Sequence, residues 1–221
     1  LLYNERRQKE SIQLFEISNV YEEQNKQINQ KKKISLLVSG RMGNTYENFN
    51  KHFNKEFLRE ILYPILEEEK IEVQELSREK LDTKIKNKIY YAEFNLNEIN
   101  LDKIEEKNTL QTSFSSFKKV SEFPSTYRDL SVTFKNLDDL EAMTKEILEF
   151  KDSILVESFV FDYYPNIEKE IVKIGFRFIF QHSSRTLTEN DVGKTLSEII
   201  KLIYDFDATE IQGFDLTKII K

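Results

Sequence analysis

The sequence predicts an α+β chain in two parts, the second a two-layer sheet-and-helix domain. Three observations carry this. Between Phe159 and Thr188, two runs of alternating apolar and polar residues flank a polar turn, the period of half-buried strands. Leu137–Phe150 and Thr188–Phe206 repeat apolar residues at helical spacing. With 17 Phe and 10 Tyr in 221 residues, the chain has the apolar bulk for a real core.

In chain order, Ser11–Tyr21 reads as a strand with Ile12, Leu14 and Phe15 turned inward. A Glu/Gln/Asn/Lys-rich loop is expected up to Lys33, then a short strand at Ile34–Val38 ended by Ser39-Gly40. Arg41–Asn50 is polar and loop-like. Phe53, Phe57, Leu58, Ile61, Leu62, Ile65 and Leu66 form one helical stripe, with a kink or stop expected at Pro64. Ile71–Leu76 is a weaker strand and Ile89–Asn95 a stronger one. This first part covers residues 1–110, and 111–122 reads as a Ser/Thr-rich linker.

The second part covers residues 123–214, with a tail at 215–221. Arg128–Phe134 alternates, with Leu130, Val132 and Phe134 on one face. The helix Leu137–Phe150 turns Leu140, Met143, Ile147 and Leu148 inward. The strands Ile154–Tyr164 and Ile171–His182 follow, and their expected core face is Phe159, Phe161, Val172, Ile174, Phe176, Phe178 and Phe180. Ser158, Asp162, Tyr164, Lys173, Arg177 and Gln181 would lie on an open polar face, with Val160 an apolar exception. The next helix turns Val192, Leu196, Ile199 and Ile203 inward, and Thr188 with Asp191 forms a capping-box pattern at its start. A short strand at Ala208–Gly213 completes β-α-β-β-α-β, the split βαβ or ferredoxin-like order.

Composition excludes several functions. There is no cysteine, so disulfides, thiol catalysis and zinc-thiolate sites are out. No apolar run approaches the roughly 20 residues that span a bilayer, and no signal-peptide pattern is present. The absence of cysteine fits a cytosolic protein, and the expected localisation is cytoplasmic. The net charge of −6 opposes indiscriminate nucleic-acid binding. Leu1 in place of Met suggests the tail end of a longer polypeptide. His52 and His182 lie far apart, without carboxylates at metal-ligand spacing, and read as structural. No P-loop or Ser/His/Asp set stands out.

Three motifs carry a resemblance. F-P-S-T-Y-R-D-L (Phe123–Leu130), F-D-Y-Y (Phe161–Tyr164) and S-R-T-L-T-E-N-D-V (Ser184–Val192) occur in that order. Together they resemble the FDX-ACB domain, the ferredoxin-fold anticodon-binding domain of phenylalanyl-tRNA synthetases, over about Phe123–Gly213. Upstream, Asn4 with Arg6-Arg7, then Leu14-Phe15-Glu16-Ile17 and Val20-Tyr21, is similar to a stretch of the β subunit's catalytic-like domain. Ser18 stands where that family usually has Gly. Between Val38 and Tyr90 the chain is shorter than usual and lacks a His-Pro stretch.

The resemblance implies a partial class II synthetase catalytic-like domain without chemistry of its own, followed by the ferredoxin-like domain. It implies no catalytic residue, metal or cofactor in this chain, ATP and Mg being used by the holoenzyme. It implies as partners tRNA(Phe) and an α subunit, in an assembly of two α and two β subunits, and the activity of a phenylalanine–tRNA ligase. The other reading is a non-enzymatic RNA-binding or interaction protein that keeps the FDX-ACB fold.

The candidate tRNA contacts are Asp162, Tyr164, Lys173, Arg177 and Arg185. The family places the Asp162-x-Tyr164 pair at the anticodon, the ring stacking on a base; the bland reading is a strand-end tyrosine at the surface. Lys173 stands where the family commonly has a serine near the anticodon. Arg177 has two readings, a phosphate contact or a salt-bridged surface group. Arg128-Asp129 and Arg185-Thr186 read first as structural, with Arg185 paired to Asp129 or a loop carbonyl, and a phosphate contact as the alternative. Tyr163 points to the other face and reads as packing. Acidic residues outnumber basic ones over Phe123–Gly213, so binding would rest on a small shaped contact rather than on charge.

Overall fold

The computed structural model describes residues 1–79, 81, 84, 86–103, 119–135, 140–206 and 210–212. The chain divides into two compact units, Leu1–Gly43 with Lys51–Ser116, and Asn44–Asn50 with Phe117–Lys221. The segment Asn44–Asn50, which the sequence assigns to the first part, therefore belongs to the second unit. Much of the expected linker and all of the expected tail lie outside the described residues.

The first unit contains α1 (Leu2–Arg6), β1 (Ser11–Gln24), β2 (Gln27–Gly40), α2 (Lys55–Leu62), β3 (Val73–Leu76) and β4 (Ile89–Asn95). Its antiparallel sheet runs β1-β2-β4-β3. The polar stretch before Lys33 is strand rather than loop. Asn25 and Lys26 take positive φ (54° and 62°), the conformation of a two-residue hairpin turn, and β1 pairs with β2 from Gln24↔Gln27 to Ser11↔Gly40. Leu14 and Phe15, expected to turn inward, are exposed along with Ile17, Tyr21 and Ile28, and residues 22–32 are exposed throughout, so no buried face marks that part of the arm. Asn54 caps α2 by accepting from the Phe57 amide at 2.9 Å, and the helix stops at Leu62, before Pro64. Its buried Leu58 and Leu62 join Val38, Phe53, Leu66, Val73, Tyr90, Ala92 and Phe94 in one core.

The second unit contains β5 (Thr126–Phe134), α3 (Leu140–Glu149), β6 (Leu155–Asn166), β7 (Ile171–Phe180), α4 (Glu189–Asp205) and β8 (Glu210–Gln212). The sheet order β6-β7-β5-β8, antiparallel throughout, places β7 between the two strands that α3 connects. This is the split βαβ arrangement the sequence predicts. The core unites Leu130, Val132 and Phe134 of β5, five residues of β7, Met143 and Ile147 of α3, and one face of α4. Residues 136–139, the expected start of α3, lie outside the described residues.

One expectation about β6 is overturned. Phe159 and Phe161 do not join this core; Val160 does, opposite Phe176. Phe159 instead pairs across from Arg177, on the other face. Ser158 also changes sides, its hydroxyl donating to the Leu148 carbonyl of α3 at 3.0 Å. Register shifts between Leu155 and Glu157 and between Val160 and Asp162 cause this, because each extra residue inverts the alternation beyond it.

Phe178 is fully buried in the core. Phe178→Ala is expected to cost about 3–5 kcal/mol of second-unit stability, read from the urea denaturation midpoint.

Candidate nucleic-acid interface

Three of the five candidate residues gather at one end of the outer sheet face. Tyr164 pairs directly across from Lys173, and Asp162 from Gly175, its neighbour by two along β7. Directly opposed residues in an antiparallel pair share a face, so Asp162, Tyr164 and Lys173 form one patch. Tyr164 is 60% exposed. Lys173 Nζ donates to Gln212 Oε1 of β8 at 3.0 Å, which fixes its amine without neutralising it. Pro165 is tolerated in β6 because β6 is an edge strand.

Gly175 makes this patch possible. A Cβ there would lie 2.9 Å from the Phe161 ring and 2.9 Å from Asp162 Cβ. With only hydrogen at that position, the bulged Phe161 lies across β7 and Asp162 keeps its place on the outer face.

The other two candidates have partners of their own. Arg177, with its side chain 11% exposed, donates through Nε and Nη2 to the two carboxylate oxygens of Asp129, each at 2.8 Å. Its guanidinium lies 4.1 Å from the Tyr127 ring centroid, 4.9 Å from Phe49 and 5.5 Å from Phe161. Of its two sequence readings the geometry shows the salt bridge. Arg185 pairs with Asp191, at 2.6 Å and 2.9 Å, rather than with Asp129. Arg128 donates to Glu189 at the start of α4, at 2.7 Å.

The capping box of α4 is present as the sequence predicts. Thr188 accepts from the Asp191 amide, and Asp191 accepts from the Thr188 amide at 2.9 Å. The Arg185 guanidinium, with the Thr188 amide and hydroxyl, holds the Asp191 carboxyl well below the usual carboxylate range.

Sequence reasoning missed the segment Asn44–Asn50. Phe49 is 5% exposed, with its ring 5.2 Å from Phe161 and 6.1 Å from Phe159. Asn44 Nδ2 donates to Glu157 Oε1 at 2.7 Å, and the Tyr46 ring lies 5.4 Å from that of Tyr163. The available signal was two aromatics three residues apart in an otherwise polar run.

Residues 121–209 match the family model of the ferredoxin-fold anticodon binding domain. Residues 1–88 match that of the phenylalanyl tRNA synthetase beta chain CLM domain. The chain belongs to the phenylalanyl-tRNA synthetase β-chain family. Among similar proteins is a phenylalanine–tRNA ligase β subunit of Bacteroides fragilis, 26% identical over 123 residues, which are 55% of this chain and 14% of that protein. Chloroplastic β subunits of Gracilaria tenuistipitata and Pyropia yezoensis are 26% and 29% identical over 54% and 53% of this chain. The matches span 17% and 18% of those two proteins, so the chain corresponds to a small share of its relatives' length.

Two outcomes follow from the ion pairs. Asp129→Ala would remove the bidentate carboxylate from the largely buried Arg177 guanidinium, and should cost about 3 kcal/mol in chemical denaturation. Asp191 is charged more readily folded than unfolded, so its contribution is full above the ordinary aspartate value of about 3.9 and fades as pH falls below it. The stability difference between wild type and Asp191→Asn should therefore shrink progressively in melts below about pH 4.

Proposed function

We propose that the chain is the tRNA-anchoring part of a phenylalanine–tRNA ligase β subunit, and that its second unit binds the anticodon stem-loop of tRNA(Phe). The observation that carries this is the grouping of Asp162, Tyr164 and Lys173 on one exposed patch of a domain matching the anticodon-binding family. A base stacked on the Tyr164 ring is worth about 1–3 kcal/mol, the Asp162 carboxylate can accept from a base amino group, and Lys173 can reach a phosphate. Arg177 and Arg185, engaged with Asp129 and Asp191, serve as the frame rather than as RNA contacts.

The first unit, in this proposal, is a partial catalytic-like domain of class II fold that supports assembly with a catalytic α subunit, two of each chain. The α subunit would supply ATP- and Mg-dependent activation of phenylalanine, and the assembly would work in the cytoplasm. No described helix is long and apolar enough to cross a membrane.

The test is binding of the 221-residue chain to an RNA hairpin of the tRNA(Phe) anticodon arm at low salt. Tyr164→Ala is expected to weaken binding by about tenfold or more. In the assembled ligase it should raise KM for tRNA(Phe) and leave phenylalanine activation unchanged. An unchanged KM and unchanged hairpin affinity would remove Tyr164 from the interface.

A further inference from the structure

We infer that β1 is a self-pairing edge, through which two copies of the chain join by antiparallel β1–β1 contact about a two-fold axis. The inference is independent of the RNA-binding proposal and concerns the first unit alone. β1 is the outer strand of the sheet β1-β2-β4-β3, and among the described residues nothing pairs with its free side. The opposite edge strand, β3, is 4 residues long, whereas β1 runs for 14. An open edge of that length is a template for another strand unless something blunts it. β1 lacks the usual protections: it contains no Pro, Lys or Arg, and its register with β2 is unbroken from Ser11 to Gln24.

The two-residue turn decides which groups face outward. It makes Gln24 and Gln27 a hydrogen-bonded pair, so the even-numbered residues of β1 bond to β2. The odd-numbered residues, from Gln13 to Glu23, turn their N–H and C=O groups to the open edge. Their side chains share a face with Val38, Leu36 and Ile34, which lie in or against the first unit's core. That face carries an exposed apolar strip: Phe15 is 75% exposed, Ile17 49%, Tyr21 62% and, across from Glu23, Ile28 75%.

An edge of this kind is filled by a strand of matching pattern, and β1 matches itself. Antiparallel pairing sets outward-facing residues against outward-facing residues, so odd meets odd. Of the two-fold registers this allows, the one with Ser18 on the axis sets ring against ring: Phe15 lies opposite Tyr21 of the second copy, Ile17 opposite Asn19, and Gln13 opposite Glu23. The aromatic pair forms twice, and such cross-strand pairs are stabilising. On the other face Glu16 meets Val20 and Glu22 meets Leu14, so no carboxylate directly opposes another. Glu22, the diagonal neighbour of Glu16 in this register, is already neutralised by Lys31 at 2.9 Å. The two four-stranded sheets become one continuous sheet, and the apolar strips adjoin across the axis.

The test uses the full 221-residue chain. Sedimentation velocity should show a concentration-dependent dimer. Asn19→Pro removes an outward N–H and leaves the β1–β2 ladder intact, so it should weaken the dimer by about tenfold or more with Tm unchanged. The chain has no cysteine, so a single introduced thiol reports position. Ser18→Cys places two thiols across the axis in a non-hydrogen-bonded pair, within disulfide reach, and should give a covalent dimer on mild oxidation. Glu16→Cys, opposite Val20 and far from its own copy, should not. A wild type that stays monomeric up to about 0.1 mM overturns the inference. A dimer indifferent to Asn19→Pro overturns it too, as does one in which Glu16→Cys crosslinks as readily as Ser18→Cys, because the contact then lies elsewhere. Crosslinking of Ser18→Cys to a co-expressed α subunit instead of its own copy would assign the edge to that protein and refute self-pairing. If Asn19→Pro also lowers Tm, the Ser18→Cys crosslink decides: its formation upholds the inference and its absence refutes it.

Discussion

The Arg177–Asp129 pair is the constraint around which the outer face of the second sheet is arranged. A guanidinium that is only 11% exposed is unfavourable unless its charge is matched and its donors are used. Asp129 meets both needs because it lies directly opposite Arg177 in the β5–β7 ladder, where a bidentate fork fits. The rings of Tyr127, Phe49 and Phe161 then cover the planar faces of the cation. One group thus ties together β5, β7, β6 and the Asn44–Asn50 segment. A register slip between β5 and β7 would separate it from Asp129.

This arrangement divides the outer face in two. At the Arg177 end the surface is closed by Phe49 and its neighbours. At the other end, past Gly175, the strands carry Asp162, Tyr164 and Lys173 with nothing described above Tyr164. Gly175 is the hinge between the halves. The bulge at Phe161 sends one ring toward Arg177 and returns Asp162 to the open end, and only a residue without a side chain lets that ring cross β7. The closed half therefore sets the geometry of the open half through covalent continuity along β6 and β7.

Much of the fold was legible because the buried faces of β5, β7 and both helices follow clean periods. The capping box at Thr188 and Asp191 was equally local, and Ile89–Asn95 matched to the residue. The failures share a cause. In β6 two register shifts break the alternation, so Phe159 and Phe161 read as core by composition while Val160 read as the exception. At the tip of the β1–β2 arm, residues 22–32 are exposed and almost wholly polar, so that part of a continuous ladder looked like a loop. For the site, Asp162, Tyr164 and Lys173 came into view through family motifs. Their grouping follows from strand pairing, which a sequence states only once register is known. Phe49 and Tyr46 act across more than a hundred residues of sequence, and no local pattern encodes that.

Charge explains why aromatic surface matters here. A domain with excess carboxylates meets a polyanion at a disadvantage, and its arginines make that worse for phosphate binding by pairing internally. Lys173 differs in kind, since its partner Gln212 is neutral and leaves the full positive charge facing outward. One cation fixes where a backbone phosphate can lie, and a single fixed point cannot by itself orient a loop. Rings can, because each admits a base in one plane at little electrostatic cost. In the proposed reading, recognition by this domain would be set by shape: Tyr164 would choose the pose and Lys173 would locate the strand, while the surrounding acidity would disfavour binding by charge alone.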